Sequence, residues 1–296
     1  MTFTLSNSQL ELSVLKTGLE ICSVISQKTG TEYIWQADPE IWGSHAPVLF
    51  PIIGALKNGQ YRFRGKMYSL PKHGLVRHSD KARLTQHNAD SLSFSLTWDE
   101  ESLERYPFKF EFITRYLLSG SALFIEHTVI NHGDGPMYFS LGGHPAFNCP
   151  LYENESYSDY YLEFEQQETD SAWLLNSDGL VSNERRPILN KSNILPLHDN
   201  LFDDDALIFK NLKSRRAALV SKTSGRILSL EYDGFPYLGI WAKPGAPFIC
   251  IEPWQGIADS ADSTQDLTQK KGIMSLDGGK EHTADYSITF HPEIKV

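Results

Sequence analysis

His144 sits in FSLGGHPAFN (139–148), between Gly142-Gly143 and Pro145. Glycines carry no side chain to crowd an imidazole, and proline fixes the backbone that follows, so the ring reads as presented with open space beside it. Imidazole titrates near neutrality and suits a proton carrier. The competing interpretation is a core histidine satisfied by a backbone carbonyl; the glycine–proline frame tips the balance toward function. Glu252 follows the apolar run Phe248–Ile251 in FICIEPWQG and precedes Pro253 and Trp254. A carboxylate at the end of such a strand is not an ordinary solvated charge. Burial among apolar groups raises its pKa and makes it a better base. A buried glutamate paired with an arginine for structural reasons fits the same residues equally well.

Two further stretches bring polar chemistry. In LPKHGLVRHS, His73 precedes Gly74 with Lys72, Arg77 and His78 near it. Cations beside a histidine grip sugar hydroxyls or an anion, though taken alone this stretch reads as a polar loop. In LFDDDALIFK, Asp203, Asp204 and Asp205 precede an apolar run. Acidic triplets are mostly solvated turns, and Asp205, adjoining the apolar residues, is the one expected to point inward. His127 and His132, like His73 and His78, are five apart, which aligns ligands on neither a strand face nor a helix face. With no HExxH or CxxC motif, no metal site is expected. No GxSxG elbow offers a serine nucleophile. What remains is a groove of His, Glu, Asp and Arg groups with aromatic walls. Trp241 and Trp254 offer faces that stack on pyranose rings, while charged groups bond the hydroxyls. A histidine and a carboxylate with pKa values pushed toward each other make an acid–base couple.

Period-two alternation dominates the elements that must position these groups. In SLSFSLTW, Leu92, Phe94, Leu96 and Trp98 share one face; FKFEFITRYLL repeats the pattern, and ALFIEHTVI follows across Ser119-Gly120-Ser121, a hairpin turn. LELSVL, YYLEFE, RAALVS, RILSLEY, YLGIWA, FICIE and YSITFHP are further strands. Helical periodicity is scarce, with one short helix or turn in WDEESLERY capped by Asp99. The polar stretch 152–205 reads as long connections rather than a domain boundary. These signals predict an all-β sandwich with few short helices, formed as a single domain over 1–296.

Composition sets the outer limits. The chain has 296 residues, 41% hydrophobic and 22% charged, as expected of a folded globule able to bury a sizeable core. Its 27 basic and 37 acidic residues give a net charge of −10, which repels phosphate backbones and anionic lipid. No nucleic acid or membrane partner is expected, although a local basic pocket for one phosphate is compatible with this balance. Cys22, Cys149 and Cys250 show no disulfide or zinc spacing. With no secretory leader and no membrane-spanning run at the sequence level, a cytoplasmic location is expected.

Four stretches in order, VLFPIIGALKNGQYRFRGKMYSLPKHGLVRHS, TVINHGDGPMYFSLGGHPAFN, LFDDDALIFKNLKS and YLGIWAKPGAPFICIEPWQGIAD, closely resemble the aldose 1-epimerase (mutarotase) family. The bacterial branch without a signal peptide, which also resembles hexose-6-phosphate mutarotases, is the best match. The similarity runs nearly end to end and includes the closing MSLDGGKEHTADYSITF.

The resemblance implies a galactose-mutarotase-like β-supersandwich that interconverts α and β anomers of a sugar without metal or organic cofactor. It implies Glu252 as catalytic base, His144 as general acid, His73 as the second active-site histidine and Asp205 as a ligand of sugar hydroxyls. Where family members often carry arginine after the glycine of FPIIG, this chain has Ala55, which implies either Arg77 as the substitute cation or an altered sugar specificity. The expected partner is a free hexose or a hexose phosphate, bound with Trp241 as an aromatic wall, by a monomer or homodimer. The rivals are a hexose-6-phosphate mutarotase, for which Lys72 and Arg77 speak, and a non-catalytic sugar-binding sandwich, which would not need both proton carriers.

Overall fold

A computed structural model describes residues 1–292. The alternating segments become long antiparallel strands: Ser91–Thr97, Phe110–Ser119 and Ala122–Asn131, with Ser119 paired to Ala122 across the expected hairpin turn. They belong to a nine-stranded sheet that runs from an edge at Ser192–Pro196, through Tyr160–Glu168 and Glu281–Phe290, to an edge at Arg83–His87. An eight-stranded sheet faces it. Its path is Val181–Pro187, Ser171–Leu175, Leu207–Phe209, Tyr237–Trp241, Phe248–Gln255, Leu141–Gly143 and Val48–Leu49, with Ala146–Asn148 also paired to Phe248–Gln255.

Large apolar side chains join the two sheets. Phe164 meets Phe209 edge-on at 6.2 Å between ring centroids, and Phe50, next to Val48–Leu49, packs on Phe112 at 4.9 Å. Glu100–Arg105 is the α-helix among the described residues. Asp99 caps it through a reciprocal box: the Ser102 N–H donates to Asp99 Oδ1, and the Asp99 N–H donates to Ser102 Oγ, both at 2.8 Å.

Residues 152–205 are not the run of connections their polarity predicts, for they hold four strands. Two of these, Val181–Pro187 and Ser192–Pro196, are sheet edges, where one side of the strand faces solvent and polar residues are tolerated. Phe248–Gln255 is the opposite case, buried at every position. Glu252 therefore lies inside a strand rather than at its end. The strand continues through Pro253, which has no N–H to leave unpaired.

Candidate active site

One row of side chains across the eight-stranded sheet builds the site. Gly142 pairs with Trp254 and Ala146 with Cys250, a shared register that sets His144 opposite Glu252. Between those pairs the partner strand is broken, and the gap carries His144. The His144 N–H turns to the Pro47 carbonyl at 3.0 Å, and the Ile251 N–H reaches the Pro145 carbonyl at 3.3 Å. On the other side Gly239 pairs with Glu252, and Ile208 with Gly239. Alternation puts Cys250, Glu252 and Trp254 on one face.

The glycines next to His144 do not leave open space, as the sequence predicts; they permit close packing. A Cβ on Gly142 would lie 2.8 Å from the Pro253 carbonyl oxygen and from Trp254 Cδ1, and one on Gly143 would overlap the Tyr286 hydroxyl. Gly239 serves the same end, since a Cβ there would be 2.6 Å from the Trp254 ring.

His144 Nε2 stands 3.2 Å from Glu252 Oε2, with both side chains buried. Trp42 stacks on the imidazole at 5.1 Å and 26°, while Trp241 and His73 meet it edge-on at 5.9 Å and 5.5 Å. His73 is no loop-surface residue, being only 5% exposed. Its Nδ1 accepts the Gly54 N–H at 3.1 Å, which leaves the ring hydrogen on Nε2. His73 and Gly74 both hold positive φ, +69° and +82°, and a Cβ on Gly74 would overlap the Phe50 carbonyl oxygen. That close approach docks the chain carrying His73 against the Val48–Leu49 edge.

The electrostatics follow from burial. Burial pushes the Glu252 carboxyl well above the usual range and the Asp205 charge adds to this; Lys72, the Trp254 indole and Arg77 oppose it. Burial also draws His144 down to about 3, helped by the Arg77 and Lys72 charges, and holds His73 well below an ordinary imidazole. Neither member of the Glu252–His144 pair gains from charging alone, so the pair carries one proton.

A cavity of about 320 Å³ opens over this pair. All six residues singled out by sequence line it: Glu252, His144, His73, Asp205, Arg77 and Trp241. Asp205 takes positive φ (+68°) and accepts the Ala206 N–H on one oxygen at 2.8 Å, while Asp203 and Asp204 are exposed. Arg77 is half-buried and donates to Ser44 Oγ at 2.9 Å. Sequence reasoning missed Trp42, which has no motif around it, and the wall made by Leu175, Gly179 and Ile208. A second cavity of similar size, at His78, Lys81 and Asp99, gathers no such couple; its Lys81 is already paired to Asp99 and Glu101 at 2.6 Å.

Among the described residues, one group could hold a metal ion. The donor atoms of His144, Cys250 and Glu252 lie within 4.8 Å of one another. Burial and the Glu252 charge hold the Cys250 thiol well above its ordinary range, so a metal would have to displace that proton and take over the carboxylate.

Comparison with known proteins gives the family and the fold. The sequence profile of the aldose 1-epimerase family matches residues 1–289. Protein LacX, chromosomal, of Lactococcus lactis subsp. lactis is 37% identical over 301 residues, 98% of this chain and 99% of that protein. The solved galactose mutarotase related enzyme from Lactobacillus acidophilus superposes with a TM-score of 0.94 at 38% identity, covering 100% of both chains. A galactose mutarotase-like protein from Lactobacillus casei ATCC 334 gives 0.92 at 30% identity, over 98% of this chain and 100% of that one.

Proposed function

The chain belongs to the aldose 1-epimerase family, whose members are isomerases, and from that premise we propose that it interconverts the α and β anomers of a free aldohexose with Glu252 as base and His144 as acid. The observation that carries the assignment is the buried contact of 3.2 Å between the two groups on the cavity floor. In the proposed reaction the pair's single proton, which burial places on Glu252, first passes to His144 across their contact. The Glu252 carboxylate then takes the proton from the anomeric hydroxyl. The freed electron pair forms the C1 carbonyl, the C1–O5 bond breaks, and O5 takes the proton from the His144 imidazolium. Rotation about C1–C2 and closure on the other face give the opposite anomer, with the two roles reversed. Lys72 and Arg77 favour the carboxylate during the first transfer.

The remaining lining residues suit substrate binding. The Nε2–H of His73 donates to a ring or hydroxyl oxygen, Asp205 accepts from hydroxyls through its uncommitted oxygen, and Arg77 donates to others. Trp42 and Trp241 stack on the apolar faces of the sugar. The cavity lies at the small end of ligand-pocket volumes, about 300–1,000 Å³, as suits a single pyranose.

Polarimetry of freshly dissolved α-glucose and α-galactose tests the assignment. Glu252→Gln should lose about 10²–10⁴-fold in rate; a variant that keeps the wild-type rate removes Glu252 from the mechanism. A second reading, a hexose 6-phosphate as substrate, is favoured by Lys72 and Arg77 lining the same cavity. A clear kcat/KM advantage of glucose 6-phosphate over glucose would select it.

A further inference from the structure

Lys270 is a buried cation that the reaction proposed above does not use. It directly follows the short turn Leu267–Gln269 and is only 6% exposed. Its Nζ donates to the Ile257 carbonyl and lies 3.9 Å from Oδ1 of Asp259, itself buried. Burial draws the amine down to about 8 while the Asp259 charge opposes this, so at neutral pH it remains a cation. Two charges buried at that separation add little net stability, and apolar side chains of the same volume would serve as well. What the pair does fix is position.

Asp259 ties together the segments around the site. Its N–H donates to the Ala55 carbonyl at 2.9 Å, its Oδ2 accepts the Lys57 N–H at 3.1 Å, and its carbonyl accepts the Val181 N–H at 2.8 Å. Gly54, one residue before Ala55, lines the catalytic cavity, as does Ala258, one residue before Asp259. A Cβ on Gly54 would lie 2.5 Å from the Ala258 methyl, so these segments cannot come closer. The hydrogen bonds of Asp259 keep them from moving apart. Gly54 in turn sets His73: its N–H donates to His73 Nδ1 at 3.1 Å, and its carbonyl accepts the His73 N–H at 2.9 Å. A donor held at Nδ1 keeps the ring hydrogen on Nε2. Contacts thus run without a break from Lys270, through Asp259 and residues 54–57, to His73.

We propose that Lys270 is a positioning residue for His73, acting through Asp259 and Gly54 to keep the His73 hydrogen on Nε2, where it meets the sugar. The inference rests on the function proposed above, in which that Nε2–H binds substrate. With the cation in place, the Asp259 carboxylate stays buried and holds the Lys57 N–H. Without it the carboxylate is an uncompensated buried charge, which turns toward water and releases residues 54–57. The Gly54 N–H then leaves Nδ1, and the His73 ring takes either tautomer. Lys270 touches no reacting atom, and the strand register that sets His144 opposite Glu252 involves neither Lys270 nor Asp259.

Long-range nitrogen–proton NMR correlation of the histidine rings reads the tautomer, with the His73 signals identified by their loss in His73→Gln. The wild type should show His73 protonated at Nε2 alone, and Lys270→Met should show both ring nitrogens partly protonated. For glucose and galactose, Lys270→Met should lower kcat/KM by about 10-fold to 10²-fold. The loss should fall on KM, because the Glu252–His144 couple is untouched. A merely structural role would instead reduce the share of folded enzyme, lowering kcat and leaving both KM and the His73 signals of the folded fraction as in the wild type; that pattern overturns the proposal. If Lys270→Met does not fold, Lys270→Met combined with Asp259→Asn leaves no unpaired buried charge. It should show the same mixed tautomer, since a carboxamide holds the Lys57 N–H less firmly, and a wild-type His73 pattern there refutes the proposal. The ring signals also keep the two proposals apart. A tautomer change on losing Lys270 supports the positioning role even if the wild type turns over no hexose, whereas unchanged signals refute it even if hexoses are turned over.

Discussion

A glutamate and a histidine that shared no environment would titrate separately, near 4.3 and 6.5. Here burial moves them past each other, Glu252 upward and His144 down to about 3. Below the lower value a second proton occupies the pair and no base remains; above the upper value the single proton is lost and no acid remains. Between the two limits the pair holds the one proton that the proposed mechanism passes on. The kcat/KM profile should therefore be a broad plateau spanning both ordinary values. A narrow bell with limbs near 4.3 and 6.5, followed by polarimetry in a buffer series, would show that the groups act independently. The residue types and their apolar or glycine-rich settings were legible in the sequence. Trp42 was not, because an aromatic that stacks on a distant histidine leaves no local pattern.

At the scale of elements, the site depends on how closely strands approach. Gly143 ends the short strand before His144 and faces Tyr286 of Glu281–Phe290 on the opposite sheet. Gly143→Ala should destabilise the protein by about 1–3 kcal/mol, the usual cost of overpacking, and slow catalysis by shifting His144. Removing the clashing hydroxyl with Tyr286→Phe should recover part of that loss. Urea denaturation of the single and double variants measures both effects; additive losses would mean that the two residues do not press on one another. Strand existence was readable from alternation in the inner strands of the nine-stranded sheet. It was unreadable in Val181–Pro187 and Ser192–Pro196, where edge positions admit polar residues, and the end of Phe248–Gln255 was misplaced because a strand buried on both faces shows no period.

For the whole molecule, deeply buried histidines disfavour the folded state in acid, His127 outside the site as well as His73 and His144 within it. His127, in Ala122–Asn131, is fully buried, pairs with Thr114 Oγ1 at 2.9 Å, and is drawn down to about 3 by burial. The unfolded chain binds a proton at this residue below about 6.5, whereas the folded chain does not until about 3. The unfolded state thus holds more protons in that window, and stability falls as pH drops through it, by up to about 1.4 kcal/mol per pH unit. His127→Gln removes this titration and should flatten the decline of stability between pH 6 and 4, read by urea midpoints at each pH. An unchanged slope would assign the acid sensitivity elsewhere. Among the described residues, no helix is long and apolar enough to cross a membrane.

The sequence by itself determined the all-β class, the family and the six polar and aromatic residues that come to one cavity. Alternation, motif order and residue chemistry are local properties that a chain carries before it folds. Tertiary structure alone decided that Glu252 and His144 face each other, since their opposition comes from the register of strands separated by about a hundred residues. It also decided that Gly142 and Gly143 serve packing rather than openness, and that Lys270 is buried beside Asp259. Contacts of that kind depend on which backbone lies opposite which, a quantity set by the packed sheets as a whole.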